Sequence, residues 1–147
     1  MFKHILIPTD GSRASARAAR AGVAFAKKNG ARITAYHCAQ PLPPVYGAEG
    51  YIPPPQITKE LERRARAAAA KYVAAVEKLA REAKVPVRSV VETAATPGHA
   101  IADAARRRRC DLIFIGTQGR TGLARLALGS VAERVARLAK VPVLIYR

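Results

Sequence analysis

The stretch Asp111-Leu112-Ile113-Phe114-Ile115-Gly116 decides the fold class of this chain. Its four consecutive apolar residues, bounded by an aspartate and a glycine, are typical of a β-strand that is buried on both faces. The run Ile5-Leu6-Ile7, which stops at Pro8, has the same character near the start of the chain. Because such strands occur mainly in parallel sheets covered by helices on both sides, the two runs favour an α/β fold.

Helix-forming segments separate the strands. Ser12 is positioned to cap a first helix over residues 13–28, and Asn29-Gly30 ends that helix. The alternation predicts a single domain over residues 1–147, with a doubly wound, Rossmann-like sheet of five parallel strands and helices on both faces. The remaining strands are predicted over residues 31–38, 87–92 and 141–146, and the remaining helices over residues 58–84, 97–109 and 130–140.

Two of the helices show an apolar face at helical spacing. These faces are predicted to pack on the sheet. In the second helix they include Leu61, Tyr72, Val76 and Leu79, and in the last helix Val131, Val135 and Leu138.

The strong positive charge makes anions the expected partners. The 147 residues contain 26 Lys and Arg against 10 Asp and Glu, which gives a formal net charge of +16. Much of the excess lies beside alanine in helical stretches, where a solvated helix surface is the simplest interpretation. The run Arg106–Arg109 closes a helix, where cations suit the helix dipole. With 5% aromatic residues and no Trp, any nucleic-acid binding is expected to be nonspecific contact with phosphates.

The cysteines and the apolar runs indicate the cellular compartment of the protein. Cys38 and Cys110 lie far apart, and the three histidines are not spaced with them as metal ligands. No apolar run approaches the roughly 18 residues of a membrane span, and the first residues lead into a strand without an export signal. A cytoplasmic protein with reduced thiols, without metal or membrane sites, is therefore expected.

A glycine-rich segment leads into the last helix. Gly116, Gly119, Gly122 and Gly129 fall within 14 residues and end at Ser130. Glycines let backbone N–H groups turn toward an anion, and a helix N-terminus adds free N–H groups and partial positive charge. The segment therefore resembles a phosphate cradle, although it has neither the Walker pattern nor G-x-G-x-x-G. The alternative is an ordinary loop in which Ser130 and Glu133 form a capping box.

These motifs together resemble the universal stress protein family. The opening Ile5-Leu6-Ile7-Pro8-Thr9-Asp10-Gly11-Ser12 looks like the start of its domains, and Pro142-Val143-Leu144-Ile145 looks like their last strand. The nucleotide-binding branch carries G-x2-G-x9-G-S/T, which this chain matches as Gly116-x2-Gly119-x9-Gly129-Ser130. The resemblance covers the whole chain and implies an adenine nucleotide-binding fold.

Carried over residue by residue, the resemblance implies a nucleotide site. ATP, or AMP or ADP, would bind there, with Mg²⁺ bridging the phosphates of ATP. Asp10 has turn formation as its alternative role, and Cys38, which would meet adenine through its backbone, has core packing as its alternative. The implied nucleoside contacts are Pro8, Thr9, Asp10, Cys38, Ile115 and Gly116, and the phosphate contacts are Gly119, Gly129, Ser130 and Val131, with Arg120 beside them.

The leading hypothesis is an ATP-binding regulatory protein of the stress response. Because no general base or Walker lysine stands out, at most slow ATP hydrolysis is expected. The resemblance also implies a homodimer formed through the last strand, Val141–Tyr146, which would lie at an open sheet edge. The alternative function is a basic module that binds nucleic acid or another polyanion without nucleotide. The proline-rich loop over residues 39–56 is expected to cover the nucleotide or contact a partner.

Overall fold

The computed structural model describes residues 1–42, 53–117 and 128–147. Strands and helices alternate strictly through these ranges, which confirms the predicted order. In chain order the elements are β1 (His4–Pro8), α1 (Arg13–Asn29), β2 (Arg32–Ala39), α2 (Pro55–Glu82), β3 (Val87–Thr93), α3 (Pro97–Arg107), β4 (Leu112–Gly116), α4 (Ser130–Leu138) and β5 (Val143–Tyr146).

The strands form one parallel sheet in the order β3-β2-β1-β4-β5, as a doubly wound fold requires. The chain builds outward from β1 in one direction and then from β4 in the other, so the strand order reverses between these two. We call the edge where the strands end the carboxyl edge, and the edge where they begin the amino edge. In open sheets of this kind, ligands bind at the carboxyl edge beside the reversal point.

Successive side chains of the central strands enter two separate cores. Ile5 and Ile7 pack with α1 and α2 on one face of the sheet, where Phe114 of β4 joins them. Leu6 and Ile113 pack with α3 and α4 on the other face. The alternation follows from the period of two along a strand, and burial on both faces explains why these runs lack polar residues.

The caps of α1 are as predicted. Ser12 accepts a hydrogen bond from the Ser15 backbone N–H at 3.1 Å, and Gly30 adopts the left-handed conformation with φ of 63°. These contacts satisfy backbone groups that a helix end leaves unpaired. They fix where α1 begins beside β1 and where the chain turns back into β2.

Three residues were predicted to form the buried face of α4, and the prediction is wrong for two of them. Val131 and Leu138 are each 37% exposed, whereas Ala132 and Val135 are buried against α3 and the sheet. The prediction weighted side-chain size, but a small alanine lets two layers approach closely and so occupies the contact face. In α2 likewise, Leu61 is exposed, and the buried positions are Ala69, Val73, Val76 and Ala80.

Among the described residues, no helix is both long and apolar enough to cross a membrane. The longest, α2, is amphipathic and carries ion pairs along its outer face, such as Arg64 with Glu60 at 2.7 Å. Its charge therefore belongs to a solvated surface, as predicted for the helices in general.

Candidate functional site

The ladder between β1 and β4 is short at the reversal point. β1 pairs with β2 over five residue pairs but with β4 only over Ile5–Leu112 and Leu6–Ile113. Beyond Leu6 and Ile113 no further residue pair joins the two strands, which continue to Pro8 and Gly116. Topology thus brings the two predicted loops to one place.

The start of α4 lies at the end of β4. Gly129 donates its backbone N–H to the Thr117 carbonyl at 2.6 Å, and Thr117 donates to the Tyr146 carbonyl at 3.0 Å. These two bonds bring the segment after β4 back to β5 and place the first turn of α4 at the carboxyl edge. Most of the predicted site residues lie at this edge: Pro8, Thr9, Asp10, Cys38, Ile115, Gly116, Gly129, Ser130 and Val131. The predicted contacts Gly119 and Arg120 fall on residues 118–127, outside the described residues.

The turn after β1 is held by its own hydrogen bonds. Thr9 donates its N–H to the Tyr36 carbonyl at 2.8 Å, and the hydroxyls of Thr9 and Ser15 share a hydrogen bond at 3.2 Å. The Ser12 N–H donates to Asp10 Oδ1 at 2.9 Å, which closes a local turn of the kind aspartate favours. The turn-forming role considered for Asp10 is therefore confirmed.

Asp10 is a charged acceptor at this turn. Its partial burial raises the pKa of the carboxyl, but hydrogen bonds from Ser12 and Ser15 outweigh that effect and leave the pKa below its ordinary value. Asp10 therefore remains ionised at neutral pH. An ionised carboxylate at a strand end suits hydroxyl and amine donors of a ligand.

Tyr72 of α2 braces the same turn, which sequence reasoning missed. Gly11 has a φ of +77°, and a Cβ at this position would lie 2.2 Å from the Tyr72 ring. The ring also contacts His37 edge-on, with centroids 5.1 Å apart. Because a carbonyl oxygen only accepts, His37 Nδ1 must donate the 2.8 Å hydrogen bond to the Thr9 carbonyl. The sequence signal that could have indicated these contacts was the position of His37 near the carboxyl end of β2, because functional loops begin at that end of a strand.

Gly116 lets β4 approach α1 closely. A Cβ at Gly116 would lie 3.2 Å from the Ala14 carbonyl oxygen, tighter than ordinary van der Waals contact. Ile115 beside it is buried in the core shared with α3 and α4. A side chain at Gly116 would push the carboxyl end of β4 away from the first turn of α1.

The capping box considered as the alternative for the start of α4 does not form. Gly129 is the N-cap, Ser130 is the first helical residue, and no side chain caps this end. Glu133 instead pairs with Arg137 at 3.7 Å, one turn further along the helix. A capping serine must precede the helix, and here the helix starts one residue too early for that. The first turn of α4 therefore faces the carboxyl edge without a capping side chain.

Cys38 is the last residue but one of β2, and its thiol has a packing role. Its Sγ lies 3.7 Å from the Ala94 carbonyl, and burial raises the pKa of the thiol. Both Cys38 and Cys110 are free. A raised pKa makes a thiolate nucleophile unfavourable at neutral pH, so the side chain of Cys38 adds packing rather than reactivity.

Glu92 of β3 collects three donors beside an open cleft of about 560 Å³. It accepts from Tyr36 at 3.0 Å, from Arg107 at 2.7 Å and from Arg108 at 2.8 Å. Burial raises the pKa of Glu92. The three hydrogen bonds lower the pKa by more than burial raises it, so the net shift is downward. Three cations of the Arg106–Arg109 run are thus paired, since Arg106 pairs with Asp103. No cluster of three His, Cys, Asp or Glu side chains in the described ranges could hold a metal ion.

The sequence profile of the universal stress protein family matches residues 1–147. The chain belongs to the universal stress protein family. A universal stress protein of Methanocaldococcus jannaschii is 36% identical over 148 residues, covering 100% of this chain and 83% of the relative. Another, of Thermus aquaticus, is 34% identical over 151 residues and covers both chains completely. The family resemblance of the motifs is therefore confirmed.

Solved structures of universal stress proteins share the fold. The protein UspA of Lactobacillus plantarum superposes with a TM-score of 0.78 at 24% identity, covering 99% of this chain and 98% of its own. A universal stress protein in complex with cAMP gives 0.73 at 23% identity, covering 99% and 97%. A family member from Arabidopsis thaliana with AMP bound gives 0.70 at 15% identity, covering 97% and 90%. At these identities the likeness confirms the five-stranded parallel α/β fold.

Proposed function

We propose that this universal stress protein is an ATP-binding regulatory protein of the stress response, formed by a single domain over residues 1–147. The observation that carries the proposal is the uncapped first turn of α4 at the carboxyl edge, where the strand order reverses between β1 and β4. Two solved family structures contain cAMP and AMP, which makes an adenine nucleotide the ligand class to test.

The nucleoside is proposed to bind against the β1 turn. The ionised Asp10 would accept from a ribose hydroxyl or the adenine amine, while Pro8 and Thr9 form the floor. Ile115 and Gly116 would flank the ribose and base from β4, and the backbone beside Cys38 would meet adenine. The bonds of Thr9 to Tyr36 and His37 keep this surface in place, so little ordering cost is expected on binding.

The phosphates are proposed to bind at the start of α4. Free N–H groups and the positive end of the helix dipole favour an anion there, and no side chain competes for them. Ser130 and Val131 would donate from this turn, with Gly129 allowing close approach. Gly119 and Arg120 complete the proposed set, and Mg²⁺ would bind chiefly to the phosphate oxygens of ATP. Binding with at most slow hydrolysis is proposed, as is a cytoplasmic location.

Isothermal titration of ATP into the protein tests the site. Ser130→Glu places a carboxylate where the phosphates are expected, and we expect at least a tenfold loss of affinity. The fold should survive, since an acidic residue in the first turn suits the helix dipole. Ala136→Glu adds the same charge to an exposed position of α4 and should bind ATP as the native protein does. Native protein that binds neither ATP nor AMP, or two variants of equal affinity, would overturn the proposal.

A homodimer through β5 is part of the proposal. β5 pairs with β4 on one side and forms the sheet edge on the other, and its residues Val143, Leu144 and Ile145 are half-buried. The hydrogen bonds from Ile113 to the Pro142 carbonyl and from Thr117 to the Tyr146 carbonyl turn alternate residues toward β4. The Ile145 N–H therefore points outward, and Ile145→Pro should remove an intermolecular donor without breaking the β4 ladder. Sedimentation should show a native dimer and a monomeric variant; two monomers would contradict the dimer.

A further inference from the structure

A cation precedes or begins each of the five strands. Lys3 comes directly before β1, Arg32 is the first residue of β2, and Lys84, Arg109 and Lys140 each stand three residues before β3, β4 and β5. All five side chains are exposed. We call them the basic row.

The sheet order places the basic row along one edge. With strands in the order β3-β2-β1-β4-β5, the cations follow one another as Lys84, Arg32, Lys3, Arg109 and Lys140. Neighbouring strands are about 4.8 Å apart, so the row extends over roughly 19 Å. Lys27 and Lys28, in the last turn of α1, add charge at the same edge.

The acids that could neutralise the row are engaged elsewhere. The nine ion pairs of the described ranges use cations of α2, the end of α3, and α4, and none of the five row side chains. Asp111 lies at this edge, but its two oxygens accept from the backbone N–H groups of Lys3 and His4 at 2.7 and 3.0 Å. The row therefore presents five cations without an ion pair to a described acid.

Two members of the row stand where the backbone favours glycine. Lys84 has a φ of 59° and Arg109 a φ of 55°, and no other non-glycine residue of the described ranges has a positive φ. Gly30 occupies the equivalent position after α1. Two of three equivalent helix ends thus carry a cation in the left-handed conformation, where glycine would be less strained.

We propose that the basic row binds the phosphate backbone of double-stranded nucleic acid without regard to sequence. Its length corresponds to about half a turn of duplex, and unpaired cations are what such binding requires. Single strands are a poorer match because they need exposed aromatic platforms, whereas Phe2 beside the row packs on Phe25 with centroids 6.1 Å apart. Membrane surfaces are a poorer match because they favour an amphipathic helix with inserted apolar side chains. The row lies at the opposite edge of the sheet from the proposed nucleotide site and does not depend on it.

Fluorescence anisotropy with a labelled DNA duplex of arbitrary sequence, at a series of salt concentrations, tests this proposal. Five phosphate contacts predict a slope of about −4.5 for log affinity against log salt. The double variant Lys84→Gly/Arg109→Gly keeps the backbone conformation and removes two contacts, so its slope should be about −2.7, with an affinity loss of about tenfold at low salt. The matched control Lys59→Ala/Lys71→Ala removes two exposed cations of α2 and should retain the native slope.

The following results would overturn the proposal that the basic row binds duplex. Native protein without duplex affinity at low salt, or equal losses in the row variant and the α2 control, would show that the row is not the binding surface. Binding to vesicles of anionic phospholipid with none to the duplex would assign the row to a membrane surface instead. Ser130→Glu lies at the opposite edge from the row and should bind the duplex with the native slope; a loss of duplex affinity in this variant would place the duplex at the carboxyl edge.

Discussion

The carboxyl and amino edges of the sheet carry different kinds of charged side chain. At the carboxyl edge the Asp10 carboxylate accepts from the Ser12 N–H and closes the turn after β1. At the amino edge five cations precede the strands, and none forms an ion pair with a described acid. One edge has an acidic turn beside a helix N-terminus, and the other has an exposed line of cations.

Parallel topology explains the difference. Because each helix runs antiparallel to the strands, helix N-termini gather at the carboxyl edge and helix C-termini at the amino edge. Anions are favoured at the first and cations at the second. The two proposed sites, one for a nucleotide and one for a duplex, follow this division between the edges.

The largest expected effect comes from breaking the turn at the carboxyl edge. Gly11→Ala forces a side chain into the left-handed region and against Tyr72, and we expect a loss of about 3 kcal/mol in the free energy of unfolding. The control is Gly30→Ala, which has the same backbone strain but no atom within 4 Å of the new Cβ, and should cost about 1 kcal/mol. Urea unfolding measures both, and equal losses would show that Tyr72 does not brace the turn.

A smaller effect of opposite sign is expected at the amino edge. Lys84→Gly/Arg109→Gly relieves backbone strain of about 1–2 kcal/mol at each site, while the loss of favourable interaction with the helix dipole costs about 0.3–1 kcal/mol at each. The net result should be an increase of about 1 kcal/mol in the free energy of unfolding. If urea unfolding shows a clear decrease, the cations are needed for stability rather than for binding.

The smallest effect concerns His4 at the start of β1. Burial and the charge of Arg32 lower the pKa of His4, whose Nε2 lies 2.8 Å from the Thr34 hydroxyl. The unfolded chain therefore takes up a proton at higher pH than the folded one. Stability is fully present above pH 6.5 and falls as the pH drops toward the folded pKa.

Arg32→Gln tests the electrostatic part of this effect. It removes the positive charge that lowers the pKa of His4 and leaves the burial of His4 unchanged. NMR titration of His4 should show its pKa moving up toward 6.5, and the loss of stability in acid should become smaller. An unchanged His4 pKa would mean that the row exerts little electrostatic potential at the amino edge. The exposed Arg88→Gln is the control and should leave His4 as it is.

Much of the fold was predictable because local chemistry dictates it. Leu112–Ile115 had to be a buried strand since four apolar residues in succession fit neither an exposed strand nor a loop. Ser12 and Gly30 marked the ends of α1 because each supplies what a helix terminus needs. The order of elements then implied a parallel sheet with a reversal point, and so the edge where the candidate site lies.

The missed features depend on contacts between distant parts of the chain. Tyr72 reads as one more apolar position of α2, and nothing local shows that its ring meets Gly11 and His37. The buried face of α4 was misjudged because Ala132 makes close contact, while the larger Val131 and Leu138 are partly exposed. The basic row is invisible along the sequence, since its members are brought together only by the order of the strands.

The most direct test of this account is an NMR titration of ¹⁵N-labelled protein with ATP. We predict amide shifts in the turn from Thr9 to Ser12, at Gly116, and in the first turn of α4, with little change at Lys3, Arg32 and Lys84. Because ATP is itself a polyanion, shifts confined to the basic row would show that it binds by charge alone. That result would contradict a nucleotide site at the carboxyl edge.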